Sequence, residues 1–301
     1  MASSEQPKLS PSTKKRGRPP KPKQPATVHD FWEDQAKQHG ASDLATNPDH
    51  HYRQLEVERI LHVVGSLKHD TILDVGCGNG YTTLALAKAF PDAEIIGVDF
   101  SQGMINEAIR HNLAPNIDYY DGDVLSLSRN GHLQGATFDV VLSTRCLINL
   151  ANWQEQKIGI LEMRKLLSKD GRMILVENVD EGLKNLNAVR GRLGLPAIKE
   201  RWHNFYIPQA EFQKFISQIQ GHLLTQEYVE NIGHMYYMAS RVIYAKICQD
   251  QGVEPDYNNP INAIASQLPT FGEFYACSPN FMIILKNENV SVHAQAGRSL
   301  S

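Results

Sequence analysis

The segment Thr71-Ile72-Leu73-Asp74-Val75-Gly76-Cys77-Gly78-Asn79-Gly80 constrains this chain more than any other. An apolar run closes on an acid, and glycines then occupy every second position. The pattern predicts a buried strand that breaks into a tight turn, with Thr82 to Phe90 as the helix behind it. Glycine lets the backbone take positive φ and lets a ligand press against bare main chain. A helix start at that place leaves N–H groups free for something anionic.

Spacing narrows the choice of ligand. In the dinucleotide fingerprint Gly-x-Gly-x-x-Gly, the third glycine packs helix on strand. Here Tyr81 holds that place, and the third glycine comes one position early, at Gly80. With Asp74 included, the motif is Asp-x-Gly-x-Gly-x-Gly. A second strand, Glu94 to Val98, runs into Asp99, where an acid accepts hydrogen bonds from ribose hydroxyls. A third, Ile117 to Tyr120, leads into Asp121-Gly122-Asp123-Val124. A fourth, Phe138 to Leu142, ends at Ser143-Thr144-Arg145-Cys146-Leu147. A purely structural turn is the alternative for the glycines alone. A nicotinamide oxidoreductase would share the sheet and the ribose acid, but Tyr81 in place of glycine speaks against it.

With these motifs the chain resembles the class I S-adenosylmethionine (SAM) dependent methyltransferases, over about Tyr52 to Lys286. The resemblance implies an α/β, Rossmann-like, doubly wound seven-stranded sheet with a terminal antiparallel pair, a helical N-terminal cap and lid insertions. It implies SAM as the cofactor, seated at Asp74, Gly76, Cys77, Gly78, Asn79 and Gly80. Asp99 would take the ribose, Phe100 and Met104 would flank the adenine, and Gly122, Asp123 and Val124 would border it. In that scheme Asp123 receives the adenine amino group. Ser143 and Arg145 would lie under the methionine part, and Arg53 would reach its carboxylate. Tyr52 would border the methyl group. For Arg53 and Tyr52, ordinary helix surface is the alternative.

Composition sets the frame. The chain has 301 residues, 42% of them hydrophobic and 21% charged, enough for one α/β domain plus additions. No apolar run approaches the roughly 18 residues of a membrane span. The N-terminus is basic, Pro-rich and without an apolar h-region, unlike a secretory signal. Cys77, Cys146, Cys248 and Cys277 are scattered, which argues for a reducing compartment, the cytoplasm, and against a disulfide framework or a zinc cage. The net charge of −3 hides an asymmetry: residues 1–27 carry +6, leaving −9 on the rest.

That asymmetry and the pattern of elements suggest five regions. Residues 1–27 form a disordered, basic, Pro-rich tail with too little apolar surface to offset its ordering entropy. Its Lys14-Lys15-Arg16-Gly17-Arg18-Pro19-Pro20-Lys21 run resembles an AT-hook, whose arginines enter a narrow minor groove. A solubilising tail that touches DNA or other polyanions weakly is the alternative. Residues 28–70 read as a helical cap, with helices from His29 to His39 and from Tyr52 to Ser66, and 71–179 as the cofactor-binding core. Residues 180–290 continue the core, with irregular, acceptor-binding insertions at 180–206 and 233–269; 291–301 reads as a flexible end.

Methyl transfer from a sulfonium is an in-line displacement, so the protein chiefly supplies alignment and excludes water. A general base is required only for a protonated, weakly acidic acceptor. His203 has the intrinsic pKa for that work, and Glu177, near the end of the fifth strand, is placed to orient an acceptor. A packing role for His203 and a structural role for Glu177 are the alternatives. Tyr52, Asn149, Arg190, Trp202, Tyr206, His234 and Tyr237 are the candidate acceptor contacts. No metal is indicated by the histidine spacing. The chain lacks Asp/Asn-Pro-Pro-aromatic and Pro-Cys motifs, which points to an oxygen or nitrogen of a small molecule rather than a nucleic-acid base. The run Arg145 to Leu150 and the Trp202-His203-Asn204 loop resemble bacterial methyltransferases, some akin to enzymes of surface-sugar biosynthesis. A sugar or sugar nucleotide is the acceptor this implies. A DNA-associated protein that uses the same fold for binding is the rival reading.

Overall fold

A computed structural model describes residues 25–111, 114–268 and 277–288. The AT-hook-like run and residues 291–301 lie outside the described residues.

Seven strands form one sheet: β1 (Thr71–Val75), β2 (Glu94–Asp99), β3 (Ile117–Asp121), β4 (Phe138–Thr144), β5 (Leu167–Asn178), β6 (Leu224–Asn231) and β7 (Asn280–Asn287). Their order is β3-β2-β1-β4-β5-β7-β6. The first five run parallel, and β7 is antiparallel to both β5 and β6. Alternation along the strands explains why both faces are covered. Ile72, Val140, Ile174 and Ile284 pack to one side with Leu55, Ile60 and Val64. Leu73, Val141, Met173 and Ile283 pack to the other with Ile160, Met163, Phe212 and Ile216. Strand order reverses at β1, flanked by β2 and β4, so a crevice opens above the carboxyl ends of those strands.

The helices are α1 (Val28–His39), α2 (His50–Gly65), α3 (Tyr81–Ala89), α4 (Gln102–His111), α5 (Trp153–Lys165), α6 (Asp180–Arg192), α7 (Gln209–Ile219), α8 (His234–Tyr237), α9 (Ala245–Gln251) and α10 (Pro260–Ala265). Side-chain oxygens of Thr27, Asp49 and Asn152 cap α1, α2 and α5 by accepting from N–H groups of the first turn. No helix among the described residues is long and apolar enough to cross a membrane.

Two expectations need correction. Residues 180–206 are not irregular throughout, because α6 fills the first half. Leu183, Leu186 and Arg190 give it a buried stripe at helical spacing. Gly182 lets that helix press on the chain before β7: an added Cβ would lie 2.0 Å from the carbonyl oxygen of Ser278. The second insertion is likewise mostly helical. There α8 passes into a π-helical stretch, Met238–Tyr244, and then into α9.

Candidate active site

The glycine turn after β1 has the predicted geometry. Gly76, Gly78 and Gly80 all have positive φ, at 72°, 57° and 79°. The N–H groups of Gly76 and Cys77 donate to the Val98 carbonyl at 2.8 and 3.0 Å, tying the turn to β2. A Cβ at Gly80 would stand 2.4 Å from the Tyr119 hydroxyl, so α3 starts hard against β3. Asp74 is buried, and its Oδ2 accepts from Thr83 Oγ1 at 2.7 Å. Asp99 accepts from the Gly78 N–H at 2.9 Å and from the Ser101 N–H at 2.9 Å. Burial pushes both carboxyls up to about 6. Each carboxylate oxygen of Asp99 keeps a further lone pair, which suits hydroxyl donors.

A cavity of about 660 Å³ runs from this turn to the two insertions. Asp74, Gly76, Cys77, Gly78, Asp99, Phe100, Gly122, Asp123 and Val124 line one end. Tyr52, Arg53, Arg145 and Asn149 line it as well, and Arg201, His203, Tyr206, Tyr237, Arg241 and Tyr257 belong to the same wall. Several lining residues carry buried polar atoms with no protein partner: Arg53 Nε, Thr144 Oγ1, His203 Nδ1 and Arg241 Nη1. Buried polar atoms of a protein are normally paired, so orphans gathered around one cavity mark a polar ligand's place. The donor set fits SAM. Carboxylates face where a sugar and base would lie, bare backbone stands at a helix start, and the Arg53 guanidinium has an N–H to spare. Its other nitrogens donate to Glu56 at 2.6 Å and to Thr82 at 2.5 Å.

Other expected site residues act beside the cavity rather than in it. Asn79 donates to the carbonyls of Gly40 and Ser42, both at 2.8 Å, and so fastens the chain after α1 to the glycine turn. Met104 is buried among Ala36, Ala45 and Trp32, beneath α1, and lies behind the lining residue Trp32 rather than in the lining itself. Ser143 donates to Glu177 at 2.5 Å. Glu177 is wholly buried and does not reach the cavity; it also accepts from the N–H groups of Cys146, Leu147 and Ile148 at 3.0, 3.0 and 3.3 Å. That carboxyl, pushed by burial to about 7, pins the loop after β4 instead of orienting an acceptor. Arg190 donates to the carbonyls of Pro196 and Arg241. Trp202 is exposed and packs edge-on against Phe31, and His234 accepts from the Cys277 N–H at 3.2 Å.

His203 does line the cavity, stacked on Phe31 with ring centroids 4.0 Å apart. Burial, and then the charge of Arg201, holds its pKa down to about 4. The imidazole is therefore neutral at physiological pH and a weaker proton acceptor than free histidine. Asn149 accepts from Trp32 Nε1 at 3.2 Å, which brings α1 over the same wall. Residues missed from the sequence include Asp49, Arg241 and Tyr257. Arg241 donates to Asp49 and lies 3.6 Å from the centre of the Tyr257 ring. The signal for Asp49 was its place before α2, as a cap. Arg241 gave none, because helical spacing does not reveal a π-helical stretch.

Comparison with known proteins agrees with this geometry. A family described as a methyltransferase domain matches residues 72–171. The cypemycin N-terminal methyltransferase of a Streptomyces species is 35% identical over 91 residues, covering 30% of this chain and 34% of that protein. The trans-aconitate 2-methyltransferase of Yersinia pestis (strain Pestoides F) is 37% identical over 79 residues, covering 24% and 30%. The chain thus spans about a third of the length of these curated relatives. Among solved structures, a chain of a complex that contains the Haloferax volcanii Trm112 methyltransferase activator aligns with a TM-score of 0.56 at 14% identity, over 86% of this chain and 98% of that one. The plantazolicin methyltransferase BpumL bound to S-adenosylhomocysteine (SAH) aligns at 0.54 with 15% identity, over 87% and 95%. These two likenesses concern the fold. Strand order, glycine turn and family match coincide, and residues 72–171 are a class I SAM-dependent methyltransferase domain.

Proposed function

We propose that the whole chain transfers a methyl group from SAM to an oxygen or nitrogen of a small molecule. One observation carries the reading: a single cavity joins the glycine turn and the strand-tip acids to an aromatic and basic wall built by the insertions. When bound, SAM supplies a methyl group activated on a sulfonium centre. The protein's work is then placement. Asp99 accepts from the ribose hydroxyls, Asp123 borders the base, and Arg53 takes the carboxylate. Tyr52, Tyr206 and Tyr237 bound the space for the acceptor, and the Phe31–His203 stack shields it from water.

Among the described residues of this wall, neither the histidine nor the tyrosines singled out from the sequence is a ready base. The His203 imidazole is weakly basic, and burial raises the Tyr237 and Tyr52 hydroxyls far above their ordinary range. Acceptors that need no strong base at neutral pH, such as a weakly basic amine or an ionised oxygen, suit it better than an unactivated hydroxyl or a fully protonated ammonium. A sugar or sugar nucleotide bearing such a group is the acceptor class to test first. The test is mass spectrometry of metabolite pools incubated with the protein and methyl-labelled SAM, where a labelled small product is expected. Calorimetry with SAM and NAD side by side guards the premise: preferential binding of NAD overturns the reading.

A further inference from the structure

We propose that Arg201, on the cavity lining, anchors an anionic group of the acceptor, a carboxylate or a phosphate. The inference rests on the methyl-transfer reading and specifies the class of acceptor.

The arginines of the cavity wall differ in one respect. Arg53 pairs with Glu56 at 2.6 Å. Arg145 reaches the same carboxylate at 3.3 Å. Arg241 pairs with Asp49. Among the described residues, the guanidinium of Arg201 has no carboxylate and no hydrogen-bond acceptor of its own. Arg145, Arg241, Tyr206 and Tyr237 are the groups whose charges act on it. Desolvation, followed by the like charges of Arg145 and Arg241, lowers its hold on a proton. Even so, an arginine stays charged at neutral pH.

The two acids that pair the other cavity arginines, Asp49 and Glu56, are already engaged. Asp49 already accepts from Arg241, from the Tyr236 hydroxyl and from the Tyr52 N–H. Glu56 serves Arg53 and Arg145, and it also accepts from Asn280 at 2.7 Å. Of the four arginines that line the cavity, Arg201 is thus the one without a carboxylate partner among the described residues. A ligand anion would satisfy its fork of N–H donors, which suits carboxylate or phosphate oxygens.

The loop that carries Arg201 is held in place before any ligand arrives. Phe205 N–H donates to the Ile148 carbonyl at 2.7 Å, and Gln156 donates back to the Phe205 carbonyl at 2.7 Å. The His203 ring lies on Phe31. These contacts fix the backbone that carries Arg201, while its exposed side chain keeps the freedom to swing onto an anion.

The test is calorimetric titration of the full chain, saturated with SAH, with citrate and separately with inorganic phosphate at constant ionic strength. Wild type, Arg201→Gln and Arg201→Lys are compared. At least one anion should bind wild type, bind Arg201→Gln at least tenfold more weakly, and recover part of that loss in Arg201→Lys. Citrate alone identifies a carboxylate acceptor, phosphate alone a phosphorylated one, and both together an anion site indifferent to the source. No binding of either anion to wild type, or equal binding to Arg201→Gln, overturns the proposal. The affinity for SAH should be the same in all three proteins. Loss of SAH binding in wild type itself removes the methyl-transfer reading instead.

Discussion

Arg241 donates to the carboxylate of Asp49 across 192 positions of sequence, joining the π-helical stretch of the second insertion to the residue that caps α2. Asp49 also caps α2 through the Tyr52 N–H at 3.1 Å and accepts from the Tyr236 hydroxyl at 2.6 Å. One buried carboxylate thus holds both walls of the cavity together. Removing it would strand a buried guanidinium, a loss worth about 3–5 kcal/mol. Asp49→Ala should lower the stability measured by urea unfolding by that order, with faster hydrogen exchange across 234–265. A loss below about 1 kcal/mol with unchanged exchange would show that the insertion is held elsewhere.

Asp99 occupies the tip of β2 with both oxygens already bonded to backbone N–H groups, so its orientation is fixed before a ligand binds. Its alanine variant should bind SAM about 1–3 kcal/mol more weakly, the cost of losing a charged hydrogen-bond partner. Calorimetry measures this directly. An unchanged dissociation constant would contradict the assignment of Asp99 to the ribose.

What the sequence discloses depends on how local the cause is. The turn at Gly76 to Gly80 is legible because apolar alternation and the demand for positive φ act within a few residues. The tips of β2, β3 and β4 follow from it once the strand order is known. α6 carries a short stripe at helical spacing, Leu183, Leu186 and Arg190, but the glycine near its start, Gly182, reads as a break until the distant Ser278 carbonyl explains it. Glu177 misleads for a related reason. Its place at a strand end suggests a site, yet three backbone N–H groups and Ser143 turn its side chain inward. Arg241 is a charged residue in a helical pattern until Asp49 stands opposite it. Contacts that span most of the chain leave no trace in spacing.

Asp74 is uncharged more readily than an exposed aspartate, because burial raises it from 3.8 to about 6. A carboxyl whose folded pKa is raised penalises the folded state as it ionises. The penalty is absent below about pH 4, grows as pH rises toward the folded value, and is complete above it. At roughly 1.4 kcal/mol per pKa unit, the full effect is about 2–3 kcal/mol. Asp74→Asn retains an acceptor for Thr83 and removes the ionisation. Relative to wild type, it should therefore gain stability between pH 5 and pH 7.5. Unfolding midpoints that shift in parallel for the two proteins over this range would refute the account.

Glu177 gives a test of structure against chemistry. Its Oε1 accepts from Ser143, Cys146 and Leu147, and its Oε2 from Ile148. Glu177→Gln keeps the shape but sets an amide N–H₂ against at least one of these donors. A buried donor left without an acceptor costs about 1–3 kcal/mol. The variant should lose that much stability and loosen the loop that carries Arg145 and Asn149. If Glu177 were a proton acceptor, kcat would fall steeply and the acidic limb of the kcat profile would vanish. If it is a pin, KM for the acceptor should rise more than kcat falls, and the profile should keep its shape. Steady-state kinetics across pH 5.5–8.5 with the acceptor found by labelling would decide between them.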